Sequence, residues 1–566
     1  MSFPAADDQL VKLLNRGNQL AAKGQYRRAL ESYDKILAKA PAHLAALTNR
    51  GNCLLLLGRH ELAVACYDKV LAANANDLRA RSNRGNALKQ LGRFEQAIAD
   101  YDRVLAVAPN YSDALVNRGW GYMDIGRPKE AIRDLRQALA LVPNDTDVHT
   151  SLIFTLNFDS DATVEMLQAE RMRWAAPFRA LSNGVSHGND PSPERRLRVG
   201  YVSSHFRHQA ATYSFGGVIA HHDPGQFEVV CYSDTRKEDD LTALLRKTAS
   251  KWHATAELSD EQLADLVRKD GIDILLDLVG HMEGHRLRAF ARKPAPVQVS
   301  AWGEPTGTGL HAMDYLFADP VIIPQAERRL LTEEVADLPS FIGFWSPDPL
   351  PEPSALPAAT RGYVTFGSFN RFTKIMAPVL QRWAAILRAV PNSRLVLKGD
   401  RPLAPELQRA AMLTVLQAEG IAAERVTFLD QLGRAAHFAA YHDIDIALDP
   451  FPHGGGMTTL DALWMGVPVI TAPGRIISSR LAAATLAALG LDDFIAADGE
   501  GYIQLAVKHA SDLASLVELR STLRSRVANT DFGDPARYTR AVEQHYRAMW
   551  HRWCDRQRTG AVQSSS

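Results

Sequence analysis

The phrase Asn-Arg-Gly stands at Asn15, Asn49, Asn83 and Asn117, 34 residues apart each time. A fixed period of that length constrains the fold more than any other feature of the chain, because it means one supersecondary unit stacked on copies of itself. The rest of each copy agrees. Gly24, Gly58, Gly92 and Gly126 keep the same spacing, as do Ala29, Ala63, Ala97 and Ala131. Tyr33, Tyr67 and Tyr101 follow, with Leu135 in the last copy; Pro41, Pro109 and Pro143 close three copies, and Ala75 stands at that place in the second. Each copy reads as two amphipathic helices. Gly and Ala sit where the helices approach most closely, Tyr packs between them, and Pro ends the second helix. The recurrent asparagines admit two readings, a bond to the backbone of a ligand or a cap on a neighbouring turn.

This pattern resembles the tetratricopeptide repeat, in four copies that fill residues 1–150 as a superhelix. Such an array has a concave groove, which implies protein or peptide partners. Residues 151–196 lose the period. Within them Thr163–Arg179 reads as a helix with Met166, Leu167, Met172 and Trp174 as its packing residues, and Asn183–Arg195 as a loop.

From residue 197 strands and helices alternate, which implies parallel sheets covered by helices on both faces. In a first lobe, 197–345, the strands are expected at Leu197–Ser204, Phe227–Ser233, Ile272–Leu278 and Val297–Trp302. His205, His208 and Gln209 follow the first strand, Gly280, His281 and His285 the third, and Gly303–Gly309 the fourth. Ligands bind beyond the carboxyl ends of such strands, so these loops read as one wall of a cleft. A proline-rich stretch, 346–362, leads to a second lobe, 363–534, and a last helix rich in Tyr, Trp and Arg (535–566) is placed to cross back onto the first.

The second lobe carries the motif that bears on chemistry. Ile444–Leu448 is an apolar strand, followed by Pro450, Pro452, the triplet Gly454-Gly455-Gly456, Met457 and a helix opened by Thr458 and Thr459. A glycine turn at a helix N-terminus cradles phosphate, since the backbone approaches closely and free N–H groups meet the positive end of the dipole. Thr458 and Thr459 can cap that helix and touch phosphate, and Asp461 can hold ribose hydroxyls. Arg371 and Lys374, in the loop after Tyr363–Ser368, can neutralise a departing diphosphate if both loops share an edge. Leu432, Gly433, Arg434 and His437 lie after the strand Val426–Leu429, where His437 can stack on a base.

Several alternatives fall away. Lys+Arg and Asp+Glu are both 64, so net charge does not argue for nucleic acid or an acidic membrane. Cys53, Cys66, Cys231 and Cys554 are too scattered for a disulfide framework or zinc site. The N-terminus does not read as a signal peptide and no apolar run is long enough for a membrane span, so a cytoplasmic protein is expected. Gly184-Val185-Ser186-His187-Gly188 fits the nucleophile elbow in letters only, because no strand precedes it and no helix follows. Asp443-Ile-Asp445 leads into the apolar strand and reads as structural.

Taken together the repeats, LRVGYVSS, FNRFTK and LDPFPHGGGMTTLDALWMGVPVIT resemble the O-linked N-acetylglucosamine transferase family, in a bacterial-type form and over nearly the whole chain. The resemblance implies a GT-B fold of two Rossmann-like lobes. It implies inverting transfer from UDP-N-acetylglucosamine to Ser or Thr hydroxyls of proteins, without metal or other cofactor. It gives His205, His208 and Lys374 the catalytic parts. It places the nucleotide sugar against Gln209, Gly303, Arg371, the Leu432–His437 loop, Gly455 to Thr459, and Asp461. Animal members carry Asp where His205 stands, Asn at His208 and His at Gln209. A transferase using UDP-glucose or a GDP-sugar, or a repeat scaffold with a silent nucleotide domain, are the alternatives.

Overall fold

The computed structural model describes residues 4–399 and 405–564. It divides into two compact units, one of helical repeats and one α/β.

In the repeat unit the helix pairs are Pro4–Ala22 with Tyr26–Lys39, Leu44–Leu56 with His60–Ala73, Leu78–Gln90 with Phe94–Val107, and Ser112–Asp124 with Pro128–Leu141. The helix Thr146–Leu156 follows them. The structure reassigns the glycines. Gly24, Gly58, Gly92 and Gly126 are the turn residues, each at a φ of 72–74° that L side chains rarely adopt, with open space where a Cβ would stand at Gly24 and Gly58. The close approach belongs to Gly17, Gly51 and Gly85 of the repeated phrase. A Cβ there would lie 2.6–2.7 Å from the ring of Tyr33, Tyr67 or Tyr101. Glycine and tyrosine are thus one packing device repeated three times.

The asparagines form a ladder. Tyr33 Oη donates to Asn18 Oδ1 (2.9 Å), which also accepts from Asn49 Nδ2 (2.8 Å). Tyr67 and Asn83 converge on Asn52 in the same way (2.7 and 2.8 Å). The last asparagine departs, Asn117 donating to the Asp113 carbonyl of its own helix (2.8 Å). The arginine of the phrase ties helix to helix: Arg84 grips buried Asp100 through Nε and Nη2 (2.7 and 2.6 Å), and Arg118 grips Asp134 likewise.

In the α/β unit, the described residues form two wholly parallel sheets. The first has β1 (Leu197–Ser203), β2 (Phe227–Ser233), β3 (Lys251–Ala254), β4 (Ile274–Asp277), β5 (Val297–Ser300), β6 (Tyr315–Ala318) and β7 (Glu334–Asp337), ordered β3-β2-β1-β4-β5-β6-β7. The second has β8 (Thr365–Ser368), β9 (Arg394–Lys398), β10 (Val426–Leu429), β11 (Ile446–Leu448) and β12 (Val469–Ile470), ordered β10-β9-β8-β11-β12. Central strands β4, β5, β8 and β11 are buried throughout, as strands covered on both faces must be. Edge strands β3 and β7 are not, and each is four residues long.

The final helix, Pro535–Ser564, packs on the first lobe as expected. Trp302 Nε1 donates to Tyr538 Oη (3.0 Å), Tyr546 Oη lies 3.1 Å from Tyr201 Oη, and Trp550 Nε1 donates to the Ser192 carbonyl (3.1 Å). The bridging helix Val164–Ala175 turns a different face inward from the one expected. Leu167 and Trp174 are buried, but Met166 and Met172 are exposed, and Gln168 and Arg171 are buried in their stead. Asp445 is structural: its carboxylate accepts from the backbone of Ala358 (2.9 Å) and Thr365 (2.8 Å). Among the described residues no helix is long and apolar enough to cross a membrane, and the four cysteines are buried thiols.

Candidate active site

Strand order reverses between β1 and β4 in the first sheet and between β8 and β11 in the second. Loops leaving neighbouring strands in opposite directions open a crevice at that point, where ligands of such sheets bind. The second-lobe crevice lies between the loops after β8 and β11. They meet directly: Lys374 Nζ donates to the Gly454 carbonyl (2.6 Å), and Thr458 Oγ1 to Asn370 Oδ1 (3.1 Å).

Gly455 has no room for a side chain, since a Cβ would stand 2.5 Å from Thr458 Oγ1 and 3.0 Å from Asp449 Oδ1. Gly456 is the N-cap of the helix Met457–Trp464 and supplies no side-chain cap. Thr458 and Thr459 do not cap it either, because both lie inside the first turn. Thr459 Oγ1 donates back to the Gly455 carbonyl (3.0 Å). The helix start therefore has no side-chain capping oxygen; Thr459 N–H turns to the Gly456 carbonyl (3.0 Å), and a helix N-terminus without a side-chain cap suits an anion.

Asp449, which the sequence reading passed over, organises this loop from beneath. It is buried, and it accepts from Gly455 N–H (2.7 Å) and Thr471 Oγ1 (2.8 Å). Burial pushes its carboxyl well above the usual range, against the opposing pull of those donors and of Lys374. His453 sits at the rim, its ring 5.2 Å from that of Phe158. Burial, with Lys374 and Arg371 nearby, holds it far below the normal histidine range, so it is uncharged.

Beside the phosphate-type loop is a second polar pair. His437 Nε2 lies 3.2 Å from Asp461 Oδ2, while His437 Nδ1 and Asp461 Oδ1 are buried without hydrogen-bond partners. Buried groups left unmade in this way are costly, and a ligand with donors and acceptors is one way to satisfy them. Phe369 and Tyr441 flank the His437 ring at 5.7 and 5.5 Å. Gly433 is the exposed N-cap of the helix Arg434–Ala439, and Leu432 before it is half-buried. Arg434 stacks on Tyr213 of the first lobe, 3.4 Å from its ring centroid, and on Phe438 at 4.8 Å.

Tyr213 carries that contact to the loop after β1. Its hydroxyl lies 2.6 Å from His208 Nδ1, and His208 Nε2 lies 2.6 Å from Asp240. Both ring nitrogens of His208 are thus engaged within the first lobe. His208, Asp239 and Asp240 bring possible metal-ligand atoms within 4.8 Å of one another, the one such group among the described residues. Gln209 turns back, its Oε1 accepting from Ala211 N–H (2.9 Å). His205 behaves differently: its Nδ1 is buried without a partner. Burial, with Arg207 and second-lobe Arg371 nearby, lowers its pKa to about 4.

The other first-lobe loops close on themselves. His281, Thr306 and Thr308 are buried. Arg171 Nη2 donates to Thr306 Oγ1 (2.7 Å) and Glu304 Oε1 (3.1 Å), Gln168 Nε2 to the Thr306 carbonyl (2.6 Å), and Thr308 N–H to Glu333 (2.6 Å). Gly303 is fixed by packing, because a Cβ would stand 2.3 Å from the Leu278 carbonyl oxygen. What these loops hold is the bridging helix.

Two parallel-sheet lobes, each with its switch point, and an anion-type loop in the second, define the GT-B class of architecture. Residues 182–346 and 356–542 match glycosyl transferase family 41, and residues 14–77, 78–111 and 112–145 match tetratricopeptide repeat families. The chain belongs to glycosyl transferase family 41. It is 35% identical over 410 residues to a probable UDP-N-acetylglucosamine–peptide N-acetylglucosaminyltransferase, SPINDLY, of Solanum lycopersicum, covering 71% of this chain and 44% of that protein. It is 29% identical to the SEC protein of Arabidopsis thaliana, given the same probable activity, over 64% of this chain and 38% of that one. The chain thus spans less than half the length of these relatives. Among solved structures, a mutant O-GlcNAc transferase of Thermobaculum terrenum aligns with a TM-score of 0.77 at 32% identity, covering 98% of this chain and 100% of that one.

Proposed function

We propose that the chain is an inverting glycosyltransferase that moves N-acetylglucosamine from UDP-N-acetylglucosamine to Ser or Thr hydroxyls of proteins, without a metal. The observation that carries this reading is Lys374 held at 2.6 Å on the glycine loop that opens an uncapped helix. Diphosphate oxygens replace the Gly454 carbonyl as the partner of Lys374 and accept from the first-turn N–H groups. The uridine lies toward His437 and Asp461, whose partnerless atoms take the base and ribose. The family's activity and the names of the relatives agree with this assignment.

The acceptor oxygen forms a bond to the anomeric carbon as the bond from that carbon to the β-phosphate oxygen breaks. UDP leaves with the electron pair. Its growing charge meets Lys374 and the helix N-terminus, fixed donors that need no reorganisation as the charge develops. The hydroxyl proton passes to His205 Nδ1, a neutral nitrogen on the facing loop. His208 has a positioning part, holding Tyr213 under Arg434. Acceptor proteins are engaged through the repeat groove, where Asn18, Asn49, Asn52 and Tyr26 line an opening of about 420 Å³.

The test is to incubate the protein with a cell lysate as acceptor pool, EDTA, and an equimolar mixture of UDP-N-acetylglucosamine, UDP-glucose and GDP-sugars. Mass spectrometry is expected to find N-acetylhexosamine on Ser and Thr. Hexose or deoxyhexose in its place contradicts the donor assignment, and abolition by EDTA contradicts metal independence.

A further inference from the structure

A loop of three glycines has no side chains of its own to pack and many conformations to lose. It can be a preformed anion site only if its neighbours hold it. Asp449 holds it from beneath. It is held as well by two residues that belong to neither sheet, Asn157 and Phe158, directly after the helix Thr146–Leu156. Both are buried, at 1% and 3% exposure. Ser478 Oγ donates to Asn157 Oδ1 (3.1 Å), while the carbonyl of Ser478 accepts from Gly454 N–H (3.0 Å). On its other side Asn157 Nδ2 donates to Glu304 Oε1 of the first lobe (3.3 Å). Phe158 lies against His453, the residue before the glycines, with ring planes tilted by 37°.

We propose that Asn157 and Phe158 are positioning residues for the donor site, which fix the glycine loop through Ser478 and His453. The proposal rests on reading that loop as the diphosphate site. With Gly454 N–H committed to Ser478, the peptide that follows is oriented so that its carbonyl meets Lys374 and Gly455 N–H meets Asp449. Phe158 packs its ring against the imidazole of His453, 5.2 Å between centroids, and so restrains the residue that leads into the glycines. Because Asn157 also bonds Glu304, the same side chain ties the second-lobe loop to the first lobe.

The experiment compares UDP affinity by calorimetry, kcat and KM for the donor, and melting in wild type, Asn157→Ala, Ser478→Ala, Phe158→Leu and Phe158→Tyr. Loss of one such bond is worth roughly 2- to 10-fold. The expected result is a UDP affinity weaker by about that factor in the first three variants, a KM raised more than kcat is lowered, and recovery in Phe158→Tyr. Ser478→Ala removes only a hydroxyl and keeps the test alive if Asn157→Ala does not fold. Wild-type UDP affinity in folded variants, or lowered melting with unchanged affinity, overturns the proposal. Failure of the wild type itself to bind UDP overturns the donor-site reading, and the proposal with it.

Discussion

The two lobes reach the same topological point with opposite results. In each, a buried aspartate stands at the end of the strand across the switch: Asp277 is the last residue of β4 and Asp449 the first after β11. Asp277 accepts from Val279 and Gly280 N–H (3.1 and 3.0 Å) and from Ser300 Oγ (2.9 Å), and the loop after the neighbouring β5 is held by Arg171, Gln168 and Glu333. Asp449 accepts from one loop N–H and Thr471, and the loop beyond it ends at a helix with no capping side chain. Topology chooses where a ligand can bind. The inventory of polar groups decides whether protein or ligand takes the place.

The largest effect that would test this contrast is at Lys374. Lys374→Ala is expected to lower turnover by about 10²–10³-fold while melting stays near wild type; unchanged turnover would sink its leaving-group part. His205→Ala is expected to cost about 10²-fold in kcat. Because burial keeps the ring neutral down to about pH 4, the acid limb of kcat/KM that His205 governs falls near that value, and a limb at an ordinary histidine pKa of 6.5 would contradict its assignment.

A glycine from each lobe sharpens the comparison further. Gly455→Ala crowds Thr458 and Asp449 and is expected to weaken UDP about tenfold, ~1.4 kcal/mol. Gly280, at φ +65° and 2.8 Å from Glu304 Cβ were a Cβ added, is expected to cost ~1–3 kcal/mol of stability as alanine. UDP affinity of that variant should be unchanged; a loss there would mean that the first-lobe loop also binds donor.

The smallest effect concerns pH. Burial raises Asp277 from 3.8 to about 6, so between those values the folded state binds more protons than the unfolded. Stability from this group therefore falls as pH rises through that window and is level above it. Asp277→Asn should remove this part of the slope, as chemical denaturation at several pH values will report; an unaltered slope would refute it.

Much of this was legible in the chain. The 34-residue period located the repeats, and long apolar strands such as Phe227–Ser233 fell where expected. The meeting of Lys374 with the glycine loop followed from two motifs on one sheet edge. What escaped had physical reasons. β3, β6 and β7 are four residues each, too short for periodicity to speak, and two of them are half-exposed edges. Hydrophobicity alone favours Met166 and Met172 over Gln168 and Arg171, whereas the partners of Arg171 Nη2 lie more than 130 residues away. Asp449 was hidden in plain view before Pro450. Nothing local distinguishes a loop aspartate from one whose acceptors are all aimed inward. Asn157 and Phe158 likewise have no signature of their own.

The most direct test of the central contrast is hydrogen exchange with and without UDP, read by mass spectrometry along the chain. Protection is expected in 369–374, 434–441 and 449–464, with 278–286 and 303–309 unaltered. Protection of those first-lobe loops with none at 449–464 would contradict the account.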